Sequence, residues 1–239
     1  ITPYLPVMKG MTVQNPEITK RFYYDFQKTI CDLIVDAHYA NATKISNKYG
    51  LQPCSESGGP GPVPVEALKA LGALDLPRGE FWYGSRTSLV KEIACASHIY
   101  GKKVVGQEAY TSWLMWQEAP CDLKDITENS FCNGMNKVIF HTYAHNVPEG
   151  GTPGWPYWAG THIGPSSVWW PKAKPFMDYL SRCSYLLSEG LFVGDVCYYY
   201  GDQGYNYVPE KHIDPSLGYG YDYDVTNAEV ILTRMEAEN

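Results

Sequence analysis

Lys103-Val-Val-Gly-Gln-Glu108-Ala-Tyr110 is a short apolar run that ends in a glutamate, and two other stretches repeat this pattern. They are Leu51-Gln-Pro-Cys-Ser-Glu56-Ser-Gly-Gly59 and Leu74-Asp-Leu-Pro-Arg-Gly-Glu80-Phe-Trp82. Segments with helical periodicity separate the three runs, so we predict consecutive parallel β-strands. The carboxylates would then gather at one edge of the sheet, where such folds carry their chemistry. The structural alternative is that one or two of these glutamates pair with a buried arginine or cap the next helix.

The rest of the chain extends an alternation of strands and helices. Asn15-Pro16-Glu17 predicts the start of a long helix, and Lys48-Tyr49-Gly50 predicts its end. Further strands are predicted over Asn136–His145 and Leu191–Tyr200, the latter followed by Asp202. Five strands alternating with helices favour a parallel α/β sheet of the (β/α)₈ TIM-barrel type, with about five of its eight βα units present. Tyr4-Leu-Pro-Val-Met8 is a candidate for another strand.

Composition restricts the class of protein. A chain of 239 residues with 44% hydrophobic content can form one globular domain, and we expect residues 1–239 to be one partial barrel from a longer protein. The net charge of −7 and the 19 unclustered lysines and arginines argue against a nucleic-acid or anionic-membrane partner. No apolar stretch approaches the roughly 20 residues of a membrane span. The seven cysteines contain no CxxC pair, which favours buried free thiols over a disulfide framework.

Aromatic residues are concentrated in the predicted loops. The chain has 7 tryptophans and 20 tyrosines, many of them close to glycine and proline. A loop from Asn146 to Pro171 is long enough to suggest a function. Indole rings provide flat apolar walls with a polar handle, which suits the C–H face and hydroxyl rim of a sugar. Trp82 and Trp116 are our candidates for substrate binding. The tryptophans that can form such walls are Trp82, Trp113, Trp116, Trp155, Trp158, Trp169 and Trp170.

Six motifs in order resemble the glycoside hydrolase family 106 α-L-rhamnosidases, from about residue 20 to the end. They are Ser55-Glu-Ser-Gly-Gly-Pro-Gly61, Asp75-Leu-Pro-Arg-Gly-Glu-Phe-Trp82, Ala96-Ser-His-Ile-Tyr-Gly-Lys102, Gln107-Glu-Ala-Tyr-Thr111, Phe140-His-Thr-Tyr-Ala-His145 and Gly218-Tyr-Gly-Tyr-Asp-Tyr-Asp224. The resemblance implies the later part of a (β/α)₈ catalytic domain in a longer protein, secreted, periplasmic or at the surface of a bacterium. It also implies removal of terminal rhamnose from plant or bacterial glycans with inversion, glutamates as acid and base, and calcium at the sugar.

The chemistry of glycoside hydrolysis accords with this resemblance. One carboxylic acid protonates the leaving oxygen, and one carboxylate activates water or attacks the sugar. Glu108 is our candidate base, because it follows the longest apolar run and its motif carries an essential glutamate in the family. Glu80 and Glu56 compete for the roles of acid and metal ligand, with Glu80 the preferred calcium ligand. If the family's acid lies upstream of Ile1, this chain alone is inactive.

Three other polar positions are candidates for sugar contacts. His141 and His145 follow a strand-like run, and the extended spacing argues against zinc and favours hydrogen bonds to hydroxyls. The structural alternative is that both histidines are hydrogen-bonded within the fold at the edge of the sheet. Asp202 stands where relatives usually carry glutamate, which favours substrate contact over catalysis. Asp222 and Asp224 can be calcium ligands or part of a polar turn, and we favour the turn. A different class of function is a non-catalytic carbohydrate-binding module on a decayed barrel, which needs the aromatics but not three converging carboxylates.

Overall fold

A computed structural model describes residues 1–57, 65–84, 88–201, 208 and 220–237. Within these ranges the protein has a four-stranded parallel sheet, in the order β1-β2-β3-β4, and a separate two-stranded parallel sheet of β5 and β6. The strands are β1 Cys54–Glu56, β2 Leu76–Trp82, β3 Gly106–Thr111, β4 Lys137–Phe140, β5 Val196–Tyr199 and β6 Tyr223–Thr226. The alternation of strands and helices therefore gives an α/β fold, as predicted.

Seven α-helices lie in the described ranges. They are α1 Pro16–Ile34, α2 Asn41–Lys48, α3 Ala67–Gly72, α4 Ser88–Ile99, α5 Pro120–Cys132, α6 Lys174–Ser188 and α7 Ala228–Thr233. A π-helical segment, Val35–Ala40, joins α1 to α2, so the predicted long helix is nearly continuous. Short 3₁₀ segments cover Thr2–Lys9, Pro148–Gly150 and Trp170–Lys172.

The helix ends follow from local sequence. Asn15 caps α1, where its side-chain oxygen accepts a hydrogen bond from the backbone N–H of Ile18 at 2.9 Å. Gly50 and Gly101 follow α2 and α4 with φ of 70° and 69°, a left-handed conformation that glycine adopts without a Cβ penalty. Asn15 and Gly50 confirm the two boundaries that the sequence predicts for the long helix, and Gly101 ends α4 in the same way.

Strand β2 separates a buried face from a half-buried one. The residues that pack toward the helices are Pro77, Gly79 and Phe81. The residues on the opposite face are half-buried, namely Arg78, Glu80 and Trp82. At Gly79 the helix α4 comes so close that an added Cβ would lie 2.6 Å from the side chain of Ile93. The apolar side of the sheet is thus fixed against α4, and the polar side carries the glutamates.

Two apolar clusters support this arrangement. One lies under β2, β3 and β4 and includes Phe81, Ala109, Tyr110, Leu123 and Met135. The other joins α3 and α4 to the small sheet and includes Leu68, Leu71, Ile93, Val105 and Val225. Each fully buried side chain of this size contributes about 1.5–3 kcal/mol relative to exposure.

The structure corrects several expectations about the elements. The predicted strand over Leu191–Tyr200 is only Val196–Tyr199, and it pairs with β6 rather than joining β1–β4. Tyr4–Met8 lies in a 3₁₀ helix rather than a strand. Asp224 lies within strand β6, so the preferred polar turn was wrong there. All seven cysteines are free, as favoured, although only Cys31 and Cys95 are fully buried. No described helix is long and apolar enough to cross a bilayer.

Candidate active site

The three glutamates lie on one face of the main sheet. Glu56 is in register with Arg78 of β2, and Glu80 is in register with Glu108 of β3. Residues in register on parallel strands point to the same face, and so do residues two apart on one strand, such as Arg78 and Glu80. The sequence pattern of glutamate-ended runs therefore does bring Glu56, Glu80 and Glu108 together.

Arg78 lies between two of these carboxylates. Its Nη2 is 2.9 Å from Glu56 Oε1 and 3.9 Å from Glu108 Oε2. The structural alternative, a glutamate paired with a partly buried arginine, thus describes Glu56. Two of the three carboxyl groups share this one guanidinium, so the face has an excess of negative charge when all three are ionised.

The environment of Glu56 disfavours its charged form. Burial is the largest cause, and it raises the pKa of the Glu56 carboxyl above its usual value. The nearby carboxylates of Glu108 and Glu80 raise the pKa further, while the Arg78 guanidinium opposes the change. The net direction is upward, so Glu56 holds a proton to higher pH than an exposed glutamate does.

A bulge in β3 aligns Thr111 with Glu108. Tyr110 has φ of 75°, and the register of β2 and β3 shifts here so that Trp82 pairs with Thr111. Bulges of this kind redirect side chains beside active sites. Thr111 Oγ1 consequently lies 3.4 Å from Glu108 Oε1 and 3.4 Å from His141 Nδ1. His141 Nε2 is 3.6 Å from Glu108 Oε1, slightly beyond hydrogen-bond distance.

Burial of the Tyr110 side chain offsets the cost of its backbone conformation. Its ring packs edge to face on Phe81 at 5.5 Å, and its hydroxyl forms a 2.7 Å hydrogen bond with Thr127. A left-handed conformation in a residue with a Cβ costs about 1 kcal/mol or more. The buried contacts therefore hold the bulge, and the bulge holds Thr111 beside the glutamate.

Glu80 differs from the other two glutamates in its contacts. Its Oε1 is buried and makes no hydrogen bond with any described residue. A free carboxylate oxygen of this kind fits the oxygen-ligand preference of calcium. Across the described ranges, however, no three His, Cys, Asp or Glu side chains form a group that could hold a metal ion. The described residues therefore fit calcium through Glu80 alone.

The long loop packs onto the ends of β3 and β4. Thr161 donates its N–H to Tyr110 O at 3.0 Å, and Thr142 donates its N–H to Thr161 O at 2.8 Å. The loop is so close to His141 that a Cβ on Gly160 would lie 2.8 Å from His141 Nδ1. This predicted functional loop thus forms one wall beside the glutamates.

Buried His162 fixes the shape of this loop. Its Nε2 accepts the N–H of Tyr157 at 3.0 Å, and its Nδ1 lies 3.1 Å from Gly160 O. A backbone N–H only donates and a carbonyl only accepts, so the proton must be on Nδ1. The loop then places the Tyr157 ring 5.4 Å from the His141 ring, edge to face.

The remaining predicted substrate contacts are scattered. Trp82 packs on Trp113 at 5.1 Å, near the glutamates. The described contacts of Trp116 are within the loop, where it packs on His162 at 3.9 Å and donates to Ser166 Oγ at 3.3 Å. His145 is exposed and makes no hydrogen bond or ion pair in the described part of the chain. Asp202 lies outside the described residues.

A family model described as alpha-L-rhamnosidase matches residues 1–239 of this sequence. The chain belongs to glycoside hydrolase family 106. A solved structure of a rhamnosidase from Novosphingobium sp. PP1Y is 29% identical with a TM-score of 0.86, and the match covers 100% of this chain and 24% of that chain. A protein of Formosa agariphila named "Putative beta-glucuronidase" is 33% identical over 228 residues, which are 93% of this chain and 19% of that relative.

Sequence reasoning did not name two residues that the structure places beside the glutamates. Arg78 lies two residues before Glu80 within the same motif, so strand periodicity could have placed it on the glutamate face. Thr111 lies three residues after Glu108, where a regular strand points to the opposite face. The bulge at Tyr110 turns the Thr111 side chain back to the face of Glu108, and the local sequence does not indicate a bulge.

Proposed function

We propose that this chain provides catalytic carboxylates to a glycoside hydrolase that removes terminal α-L-rhamnose from plant or bacterial glycans. The observation that carries the proposal is the convergence of Glu56, Glu80 and Glu108 on one sheet face around a single arginine. We further propose that the four-stranded sheet is part of a (β/α)₈ barrel. The chain spans 19% and 24% of the two relatives, so the active protein contains other parts as well.

Glu108 is the proposed general base. It lies on the inner strand β3, and its contacts with Thr111 and His141 orient the carboxylate. An inverting reaction requires this base to activate a water, which needs carboxyl groups about 6.5–9.5 Å apart. Glu80 is directly opposite Glu108 on the next strand, and neighbouring strands are only about 4.8 Å apart. The acid therefore fits better at Glu56, or on a carboxyl from elsewhere in the protein, than at Glu80.

Glu80 is the proposed calcium ligand, supported by its buried and unbonded Oε1. Calcium takes six to eight oxygen ligands, and sugar hydroxyls together with groups beyond the described residues would provide the others. When bound, the ion would hold two hydroxyls and orient the ring. Exhaustive chelation should then abolish turnover and added calcium should restore it. Full activity after chelation would exclude the ion.

A leaving-group series in the complete protein separates acid from base. A variant without its acid keeps most activity on aryl α-L-rhamnosides with acidic phenols, because these leave without protonation. A variant without its base loses activity on all of them. If Glu56 is the acid, Glu56→Gln is selectively rescued by acidic phenols. A uniform loss in Glu56→Gln assigns the acid to another part of the protein.

The stereochemistry tests the inverting assignment directly. NMR of the first sugar released from an α-L-rhamnoside should show the β anomer before mutarotation. Initial release of α-rhamnose would contradict inversion. Because one relative is named as a beta-glucuronidase, an aryl β-glucuronide is the matched alternative substrate. Turnover of the glucuronide without turnover of the rhamnoside would contradict rhamnose as the released sugar, while the assignment as a glycoside hydrolase would stand.

A further inference from the structure

Three tryptophans form a continuous run beside the glutamates. The rings of Trp82 and Trp113 lie 5.1 Å apart, and those of Trp113 and Trp158 lie 5.7 Å apart. Each ring is tilted from the next, by 50° and by 37°. The run therefore has a curved surface rather than a flat one. We call these three residues the tryptophan run.

The tryptophan run starts at the glutamates and extends into solvent. Trp82 lies two residues after Glu80 on the same face of β2 and is half-buried. Trp113 lies two residues after Thr111 and is 57% exposed, and Trp158 in the long loop is 65% exposed. Exposure increases along the run from Trp82 to Trp158, so the run leads outward from the strand that carries Glu80.

The outer two tryptophans contribute little to folding. Trp116 and Trp169, in contrast, are half-buried and use their indole N–H groups within the fold, toward Ser166 Oγ at 3.3 Å and Glu118 O at 3.1 Å. Neither Trp113 nor Trp158 makes such a bond with any residue in the described ranges, and both side chains are more than half exposed. Adjacent exposed indoles beside a polar face such as that of the glutamates are typical of a ligand-binding surface.

We propose that the tryptophan run binds the leaving-group side of the substrate, and that its occupant is a second sugar residue. This inference rests on the proposed function, because cleavage of a terminal sugar places everything beyond the bond on the outward side. A pyranose has an apolar C–H face that packs on an indole, while its hydroxyls remain in water. The tilt between the rings suits successive sugars of different orientation, whereas a planar polycyclic aglycone could stack on one ring only. The substrate is then a rhamnosyl oligosaccharide.

The test compares Trp158→Ala with Tyr185→Ala in the complete protein. Tyr185 on α6 is also 65% exposed and is a matched surface aromatic outside the tryptophan run. We measure kcat/KM on a rhamnosyl oligosaccharide and on a simple aryl α-L-rhamnoside. Trp158→Ala should reduce the ratio of the two values about tenfold, the usual scale of one aromatic stacking contact. Tyr185→Ala should leave both values unchanged. An unchanged ratio in Trp158→Ala overturns the proposal.

Two further measurements separate the outcomes. The first uses a rhamnoside of a planar polycyclic phenol in place of the oligosaccharide. If Trp158→Ala loses more kcat/KM on this compound than on the oligosaccharide, the occupant of the tryptophan run is not a sugar. If the wild-type protein hydrolyses no rhamnoside, the proposed function fails, and calorimetric binding of the oligosaccharide then tests the tryptophan run by itself. Weaker binding by Trp158→Ala supports the run as a sugar site, and equal binding excludes it.

Discussion

The carboxylates of the two sheets differ in their basic partners. In the small sheet, Asp222 lies 2.9 Å from Lys91 Nζ, and Asp224 lies 2.9 Å from His98 Nδ1. Each aspartate there has its own basic partner on α4. In the main sheet, Glu56 and Glu108 share Arg78, and Glu80 leaves one buried oxygen without a described partner. Acidic residues are thus at or beside strands in both sheets, but the three glutamates of the main sheet lack the one-to-one basic partners that Asp222 and Asp224 have.

The comparison shows which acidic residues are candidates for chemistry. A carboxylate with a dedicated basic partner stabilises the fold, and this describes Asp222 and Asp224 better than either the calcium-ligand or the polar-turn interpretation. Glu92 on α4 shows a third arrangement, because burial raises its pKa to about 8 and the group is neutral in the folded state near neutral pH. Crowded carboxylates with too few partners remain at the glutamate face, and such an arrangement is typical of functional sites.

Glu108→Gln should have the largest effect. We expect kcat of the complete protein to fall at least about a thousandfold, because loss of a required acid or base commonly costs 10²–10⁴ and an amide cannot replace it. The fold should persist, since glutamine keeps the volume and the contact with Thr111. Steady-state kinetics measures kcat, and circular dichroism measures whether the fold persists. Retention of more than a tenth of wild-type kcat would remove Glu108 from the mechanism.

The surface glutamate Glu17 provides the matched control for this variant. It pairs with Arg21 on the exposed side of α1, far along the chain from the sheet. Glu17→Gln should leave kcat unchanged. A similar loss in both variants would show that the assay reports on charge or expression rather than on the site.

Lys91→Met should destabilise the protein without acting on the chemistry. Lys91 is 1% exposed and packs between the rings of Phe192 and Tyr223, both 4.7 Å from Nζ, while pairing with Asp222. Removing one partner of a buried pair costs about 3–5 kcal/mol, and partial exposure of the aspartate lowers our expectation to about 2–3 kcal/mol. Urea unfolding followed by tryptophan fluorescence measures the loss.

The exposed pair of Lys174 and Asp178 on α6 is the control for Lys91. Exposed ion pairs contribute at most about 1 kcal/mol, so Lys174→Met should change the unfolding midpoint little. Equal midpoints for the two variants would mean that the small sheet does not depend on its dedicated partners, and the comparison between the sheets would fail.

Glu92→Gln should change stability in a way that depends on pH. The folded state raises the pKa of Glu92, so wild-type stability is complete below the unfolded pKa near 4.5 and declines as pH rises toward about 8. Glutamine does not titrate, so the variant should gain stability relative to wild type through this window. The slope is at most about 1.4 kcal/mol per pH unit. Parallel stability curves for the two proteins would contradict the buried, neutral carboxyl.

Local patterns predict the elements whose partners are nearby in sequence. Strands β1, β2 and β3 follow from short apolar runs bounded by glycine and proline, and Asn15 and Gly101 indicate helix ends by chemistry that acts within one turn. The shared face of Glu56, Glu80 and Glu108 follows because equal strand polarity places equivalent positions together. These predictions require no knowledge of distant contacts.

Predictions that depend on distant partners fail. The apolar run from Leu191 to Tyr200 resembles a strand of the main sheet, but its pairing with Tyr223–Thr226 is decided by packing on α4. Helix α3 has six residues and follows a glycine- and proline-rich stretch, so periodicity had too few residues to indicate it. Thr111 reaches the site through the bulge at Tyr110, which arises from strand pairing.

Gly79 holds the backbone behind Glu80 in a fixed position relative to α4. Because α4 already contacts the strand where a Cβ would lie 2.6 Å from Ile93, the backbone that carries Glu80 cannot move backward, and a larger residue would push it forward. The reach of the carboxylates then depends on side-chain length alone. Shortening a glutamate to aspartate withdraws its oxygens by one C–C bond, about 1.5 Å. Exchanges between these two acids are thus the fine adjustment available at this site.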